Sequence, residues 1–176
     1  YTGVTTFRLQ HAIDTGPVLL QSRIPVEETD RADTLHDKLM QEGAQLLLRT
    51  LDGLRTHSLQ EHPQDPEYAM HPAPKLTHET CHIDWQQPVL PVHYRIRGLA
   101  PQPAAFTYWK DKRIKILRAH PSPEALHHKA GALWTDDKHF IRFACADGYL
   151  EIDELQVEGK SVMKTTDFLR GNRLEM

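Results

Sequence analysis

The stretch Ala105-Phe106-Thr107-Tyr108-Trp109, then Asp111-Lys112, then Arg113-Ile114-Lys115-Ile116-Leu117-Arg118-Ala119 reads as two strands joined by a turn, and it decides the fold of the second half of the chain. From Arg113 to Ile116, charge and isoleucine alternate with the period of two that a strand imposes. The isoleucines therefore face a core, and Arg113 and Lys115 face outward. Downstream, Gly131 to Thr135, Phe140 to Ala146 and Tyr149 to Val157 read as three more strands, the last two joined by Asp147-Gly148, a strong hairpin signal. In the final run Leu150 and Ile152 alternate, then Leu155 and Val157 resume one residue out of phase. That slip predicts a β-bulge at Asp153-Glu154. Thr166 to Arg170 adds a short terminal helix. Five short strands in about fifty residues predict a small closed β-barrel of the OB type.

Upstream, Asp84 to Pro88 reads as a helix entry, followed by the apolar stripe Val89, Val92, Ile96 and Leu99; Ala100 to Pro103 reads as a turn. Between Thr56 and His78 the prolines 63, 66, 72 and 74 break any regular element, and the segment reads as an extended, semi-stiff connector. Before it, Thr5 to Leu9 and Val18 to Ile24 read as strands. Asp33-Thr34 reads as the cap of a helix in which Leu35, Leu39, Leu46, Leu47, Leu51 and Leu54 recur at near-helical spacing, with Gly43 a weak point. The chain opens on Tyr1 rather than methionine and reads as cut from a longer one.

Of the 176 residues, 39% are hydrophobic and 26% charged, the composition of an ordinary water-soluble protein. No run approaches the roughly 18 apolar residues a membrane span needs, and no signal peptide opens the chain. Cys81 and Cys145 lie far apart without CxxC spacing, which argues against a disulfide framework and for a reducing cytoplasm. A net charge of −3 excludes a uniformly basic nucleic-acid binder, so any such role needs a local patch. One exists between Arg95 and Arg118, where Arg95, Arg97, Lys110, Lys112, Arg113, Lys115 and Arg118 face the single acid Asp111, with Phe106, Tyr108 and Trp109 interleaved. It reads either as a phosphate-contacting surface or as a solvated strand face, with the aromatic residues packing the barrel. His127-His128 and Cys81-His82 lack the converging spacing of a zinc site, and no metal is expected.

Asp14-Thr15-Gly16-Pro17 places a carboxylate in the loop after the first strand. Two readings are open for Asp14: a turn cap before Gly16, or a catalytic group. An aspartic protease fits poorly, because Pro17 follows the glycine and no second copy of the motif exists for a dyad.

The motifs taken together carry a resemblance. Asp14-Thr15-Gly16-Pro17, Ala73-Pro74-Lys75-Leu76-Thr77, Ile83-Asp84-Trp85, Ile96-Arg97-Gly98-Leu99-Ala100-Pro101 and Asp167-Phe168-Leu169-Arg170-Gly171 resemble, in order, the landmarks of bacterial methionyl-tRNA formyltransferases. The resemblance implies the C-terminal portion of such an enzyme: the α/β tail of a Rossmann-like formyltransferase domain (residues 1–58), a proline-rich linker (59–78) and an OB-like tRNA-binding barrel (79–176). It implies formyl transfer from 10-formyltetrahydrofolate to the amine of initiator methionyl-tRNA, by an enzyme that is monomeric at full length. Asp14 carries over as a catalytic residue, orienting a histidine and favouring its protonated form. Lys75 carries over as a tRNA-contacting lysine, with Arg95, Arg97, Lys112, Arg113 and Lys115 as further candidate contacts. In the family the catalytic asparagine and histidine and the folate loop precede the Asp-Thr-Gly motif. These residues alone are therefore expected to lack most of the formyl-folate pocket and the activity. The rivals are another two-domain folate-dependent formyltransferase or hydrolase, and a non-catalytic RNA-binding barrel.

Overall fold

Residues 1–64, 73–172 and 174 are described in the computed structural model. Two compact units divide the chain, Tyr1–Lys75 and Leu76–Met176.

In the first unit, β1 (Thr2–Phe7) and β2 (Val18–Ile24) pair antiparallel, and α1 (Ala32–Arg55) covers one face of the pair. The first strand starts earlier and ends earlier than the Thr5 to Leu9 expected from its composition. Thr2 pairs with Ile24, whereas beyond Phe7 the Arg8 N–H turns to the Pro17 carbonyl at 3.0 Å and Leu9 is left in solvent. The helix begins ahead of the expected Asp33-Thr34 cap. Its cap residue is Arg31, whose N–H donates to the Thr34 hydroxyl at 2.9 Å, and Asp33 lies in the first turn, where a carboxylate complements the helix dipole. The buried Asp30 carboxylate accepts from the Lys38 ammonium at 2.7 and 2.9 Å and from the Glu27 N–H at 2.8 Å. The Lys38 hydrogen bond, then that of Glu27, holds its pKa below the usual carboxylate value.

The leucine stripe of α1 splits. Leu46, Thr50 and Gly53 face inward, while Leu47, Leu48 and Leu51 are more than half exposed. Residues 46, 50 and 53 form the row that meets the strands, and Thr50 suits it because its hydroxyl lies 2.8 Å from that of Thr6. The connector's first residues also belong to this unit: His62 exchanges two backbone hydrogen bonds with Val18, at 2.8 and 2.9 Å.

In the second unit, β3 (Ala105–Trp109), β4 (Lys112–Ser122), β7 (Tyr149–Val157), β6 (Ile141–Ala144) and β5 (Leu133–Thr135) lie in the sheet order β3-β4-β7-β6-β5, and β8 (Met163–Lys164) pairs with β7. The sheet is an open half-barrel, which corrects the expected closed OB-type barrel. Closure needs a continuous hydrogen-bonded ladder between the first and last strands. Here β5 has only three residues, and the outer edge of β3 is taken instead by residues 82–83, with the Ile83 N–H donating to the Phe106 carbonyl at 2.9 Å. Helices complete the core: α3 (Val89–Leu99) contributes Val92, Ile96 and Leu99, and α4 (Thr165–Gly171) contributes Phe168 and Leu169, against Ile114, Ile116, Leu150 and Leu155.

Two irregularities curve the long β4–β7 ladder. Register jumps from Ile116↔Leu155 to Arg118↔Glu154 and then to Ala119↔Ile152, leaving Leu117 and Asp153 unpaired. Asp147, in the hairpin between β6 and β7, accepts from the Val89 N–H at 2.7 Å and so caps α3 from a distance. Strands β5 and β6 are shorter than their sequence runs. Asp136 gathers the N–H groups of Lys138, His139 and Phe140 into the turn between them. Strand β8 and the single turn α2 (His78–Cys81) carry no sequence signal of their own. Among the described residues no helix is long and apolar enough to cross a membrane.

Candidate functional site

The Asp14 loop is held by its backbone. Asp14 adopts φ 55°, a left-handed conformation that aspartate tolerates better than most residues. The Gln64 amide donates to the carbonyls of Asp14 and Gly16 at 2.8 and 2.7 Å, and the Thr15 hydroxyl donates to the Ala12 carbonyl at 3.1 Å. The Asp14 carboxylate takes no part in this scaffold. It is exposed and makes no hydrogen bond among the described residues. A turn-capping carboxylate would be engaged with nearby N–H groups, so the geometry leaves Asp14 open to another group.

Gly16 is required by close approach, since a Cβ there would stand 1.6 Å from the Arg8 carbonyl oxygen. Gly16→Ala is expected to destabilise the first unit by about 1–3 kcal/mol, the range of an overpacked site. Urea denaturation measures this, and an unchanged midpoint would show that the loop relaxes freely. On the strand face away from α1 a concavity of about 820 Å³ is lined by Gly3, Thr5, Leu19, Gln21, Arg23 and Gln64 among others. Asp14 is outside that lining, and Gln64 links the two. Gln64 carried no sequence signal, because it lies in the proline-rich connector.

In the second unit the candidate RNA contacts fall on different surfaces. Arg113 and Lys115 lie opposite Tyr108 and Phe106 in the β3–β4 ladder, while Ile114 and Ile116 are buried beneath. Arg95 adjoins this surface through α2, its guanidinium 3.4 Å from the Thr80 carbonyl. Arg97, two residues further along α3, points elsewhere, its guanidinium 5.8 Å from the Tyr94 ring centroid. Lys112 is exposed at the start of β4, opposite Trp109. Lys75 is exposed and is the last residue of the first unit.

The cysteines and paired histidines have structural surroundings. Both cysteines are buried and free, and burial, then the nearby Asp147 charge, pushes the Cys145 thiol up to about 12. His128 hydrogen-bonds the Tyr149 hydroxyl, and His82 packs on Phe106.

Solved structures share this fold. HypX from Aquifex aeolicus, in complex with tetrahydrofolic acid, matches with a TM-score of 0.65 and 21% identity over 95% of this chain and 29% of that one. WlaRD, a sugar 3N-formyl transferase, matches with a TM-score of 0.63 and 18% identity over 90% of this chain and 56% of that one. The architecture is thus one found among formyltransferases. Residues 1–51 match the family described as formyl transferase, and residues 75–173 match formyl transferase, C-terminal domain. The chain belongs to the formyl transferase family.

The first of those family matches corrects the expectation of a C-terminal portion alone, because the chain carries sequence of both formyltransferase domains. Methionyl-tRNA formyltransferase of Parabacteroides distasonis is 42% identical over 97% of this chain and 55% of that protein. That of Chlorobium chlorochromatii is 39% identical over 99% and 56%. The chain spans about half the length of the curated relatives it matches.

Proposed function

We propose that this chain serves the transfer of a formyl group from 10-formyltetrahydrofolate to the amine of initiator methionyl-tRNA, acting as a monomer in the cytoplasm. The observation that carries this reading is the 42% identity to a methionyl-tRNA formyltransferase across 97% of the chain. Folate as donor is supported by relatives of the same fold solved with tetrahydrofolic acid and with 5-N-formyl-THF.

The exposed Asp14 carboxylate fits the charge requirements of the reaction. The attacking amine must be unprotonated and loses a proton as its bond to the formyl carbon forms, while the formyl oxygen gains negative charge; the carbonyl then re-forms as the bond to N10 breaks, and tetrahydrofolate leaves with a proton on that nitrogen. A carboxylate cannot stabilise that oxygen directly, because like charges repel. It acts instead through a proton, by holding a neighbouring imidazole in place and favouring its charged form. The family's catalytic histidine is the natural partner.

RNA contact is assigned to Arg113 and Lys115, with Arg95 on the adjoining surface of the second unit and Arg97 and Lys112 as outlying contacts, and separately to Lys75 in the first unit. Changing Lys75, Arg113 and Lys115 together to alanine is expected to weaken tRNA binding and to flatten its salt dependence, by about 0.7–0.9 in log–log slope for each phosphate no longer neutralised. Filter binding across a salt series gives the slope, and circular dichroism shows whether the sheet persists. An unchanged slope in a folded triple variant would mean that these charges are only solvated.

A further inference from the structure

The surface around Tyr108 has a feature that phosphate contact leaves unexplained. Phe106, only 3% exposed, forms a floor. The rings of His78, His82 and Tyr108 stand around it at centroid distances of 4.5, 5.3 and 5.6 Å, and the Arg113 guanidinium lies 5.7 Å from its centroid. His82 and Tyr108 also face one another at 5.9 Å. Tyr108 is 51% exposed, and its hydroxyl makes no hydrogen bond among the described residues.

Strand register sets the cations beside this ring cluster. Arg113 is directly opposite Tyr108, Lys115 directly opposite Phe106, and the next residue across from Lys115 on β7 is the neutral Gln156. Neither cation is in an ion pair among the described residues. A half-exposed aromatic face with positive charge at one strand's distance is the arrangement that takes a base by stacking and its phosphates by charge. A double helix would satisfy the cations but leave the ring faces unused, because its bases are already stacked.

We propose that Tyr108, flanked by His82, is a stacking platform for an unpaired nucleobase of the RNA partner, with Arg113 and Lys115 contacting the adjoining phosphates. This rests on the RNA-binding reading above and specifies which feature of the RNA the second unit engages. It also reassigns Tyr108, which by sequence belonged with the packing residues.

Two probes separate the contributions: a short single-stranded oligoribonucleotide carrying 2-aminopurine, and a blunt-ended duplex of the same sequence. The unmodified protein is expected to change the 2-aminopurine fluorescence on binding the single strand. Tyr108→Ala should weaken single-strand binding by about 5- to 150-fold, the range of one base–aromatic stack, with its salt slope and the duplex affinity unchanged. Tyr108→Phe should bind like the unmodified protein. Because Tyr108 is on the surface, the alanine variant should keep the circular dichroism spectrum of the parent. If Tyr108→Ala binds the single strand normally while Arg113→Ala with Lys115→Ala weakens both probes, the stacking platform is wrong and the RNA-binding reading stands. If the unmodified protein binds neither probe, the RNA-binding reading fails and the platform fails with it.

Discussion

Asp14→Asn in the full-length protein is expected to cut formylation of charged initiator tRNA by more than about a hundredfold, the lower end of a general acid–base contribution. The substitution preserves shape. The loop is fixed by Gln64 on the carbonyls of Asp14 and Gly16, and by the Thr15 hydroxyl, none of which involves the Asp14 carboxylate. Asparagine also tolerates the left-handed backbone at φ 55° that this position adopts. The element removed is therefore the negative charge, and thermal stability should stay within about 0.5 kcal/mol of the parent, as for other surface changes. Steady-state formylation with denaturation as a control separates the two effects. Near-parental turnover would remove Asp14 from the chemistry, and a large loss of stability would make it a structural residue.

Phe168→Ala is expected to destabilise the second unit by about 3–5 kcal/mol, the cost of truncating a buried aromatic. Phe168 is 2% exposed and meets the Trp109 ring edge-on at 5.9 Å. Its helix α4 packs against β7 and β8, and Phe168 belongs to the same buried cluster as Ile114, Ile116 and Leu155, so removing the ring leaves a cavity in that core. A domain of ordinary stability has only about 5–15 kcal/mol to lose, so the shift should be plain in urea denaturation followed by tryptophan fluorescence. Leu48→Ala, at a position 62% exposed on α1, is the comparison and should change little. A cost for Phe168→Ala below about 1 kcal/mol would mean that α4 does not complete the core.

The strands of the second unit were legible because alternation reports burial directly: Ile114 and Ile116 are buried, with Arg113 and Lys115 on the opposite face. The phase slip near Asp153 was legible for the same reason, and Asp153 is unpaired in the ladder. Closure was not legible. A period of two says which face turns inward but not which edges meet, and the hydrogen bond from Ile83 to Phe106 that occupies the β3 edge joins residues from separate segments. The α1 stripe misled because leucine marks either side of a helix equally. Leu46 is fully buried and Leu47 half exposed, and the polar Thr50 takes an inward position through its contact with Thr6.

At the candidate sites, the Asp-Thr-Gly-Pro motif marked its own loop, but its support came from Gln64, fifty residues away. Charge counting between Arg95 and Arg118 located a basic region but could not tell that Arg95 and Arg97 leave the helix in different directions. The aromatic cluster beside Arg113 needed the strand register to become visible.

Formyl transfer to an amine presented on tRNA is the activity we propose for this sequence. Its most direct test offers the full-length protein 10-formyltetrahydrofolate together with methionyl initiator tRNA, free methionine and an amino-sugar nucleotide, and identifies the formylated product by mass spectrometry. Formyl-methionine released from the tRNA, with the other two amines unmodified, is the predicted result. Formylation of the sugar nucleotide, or none of the three, would contradict the assignment.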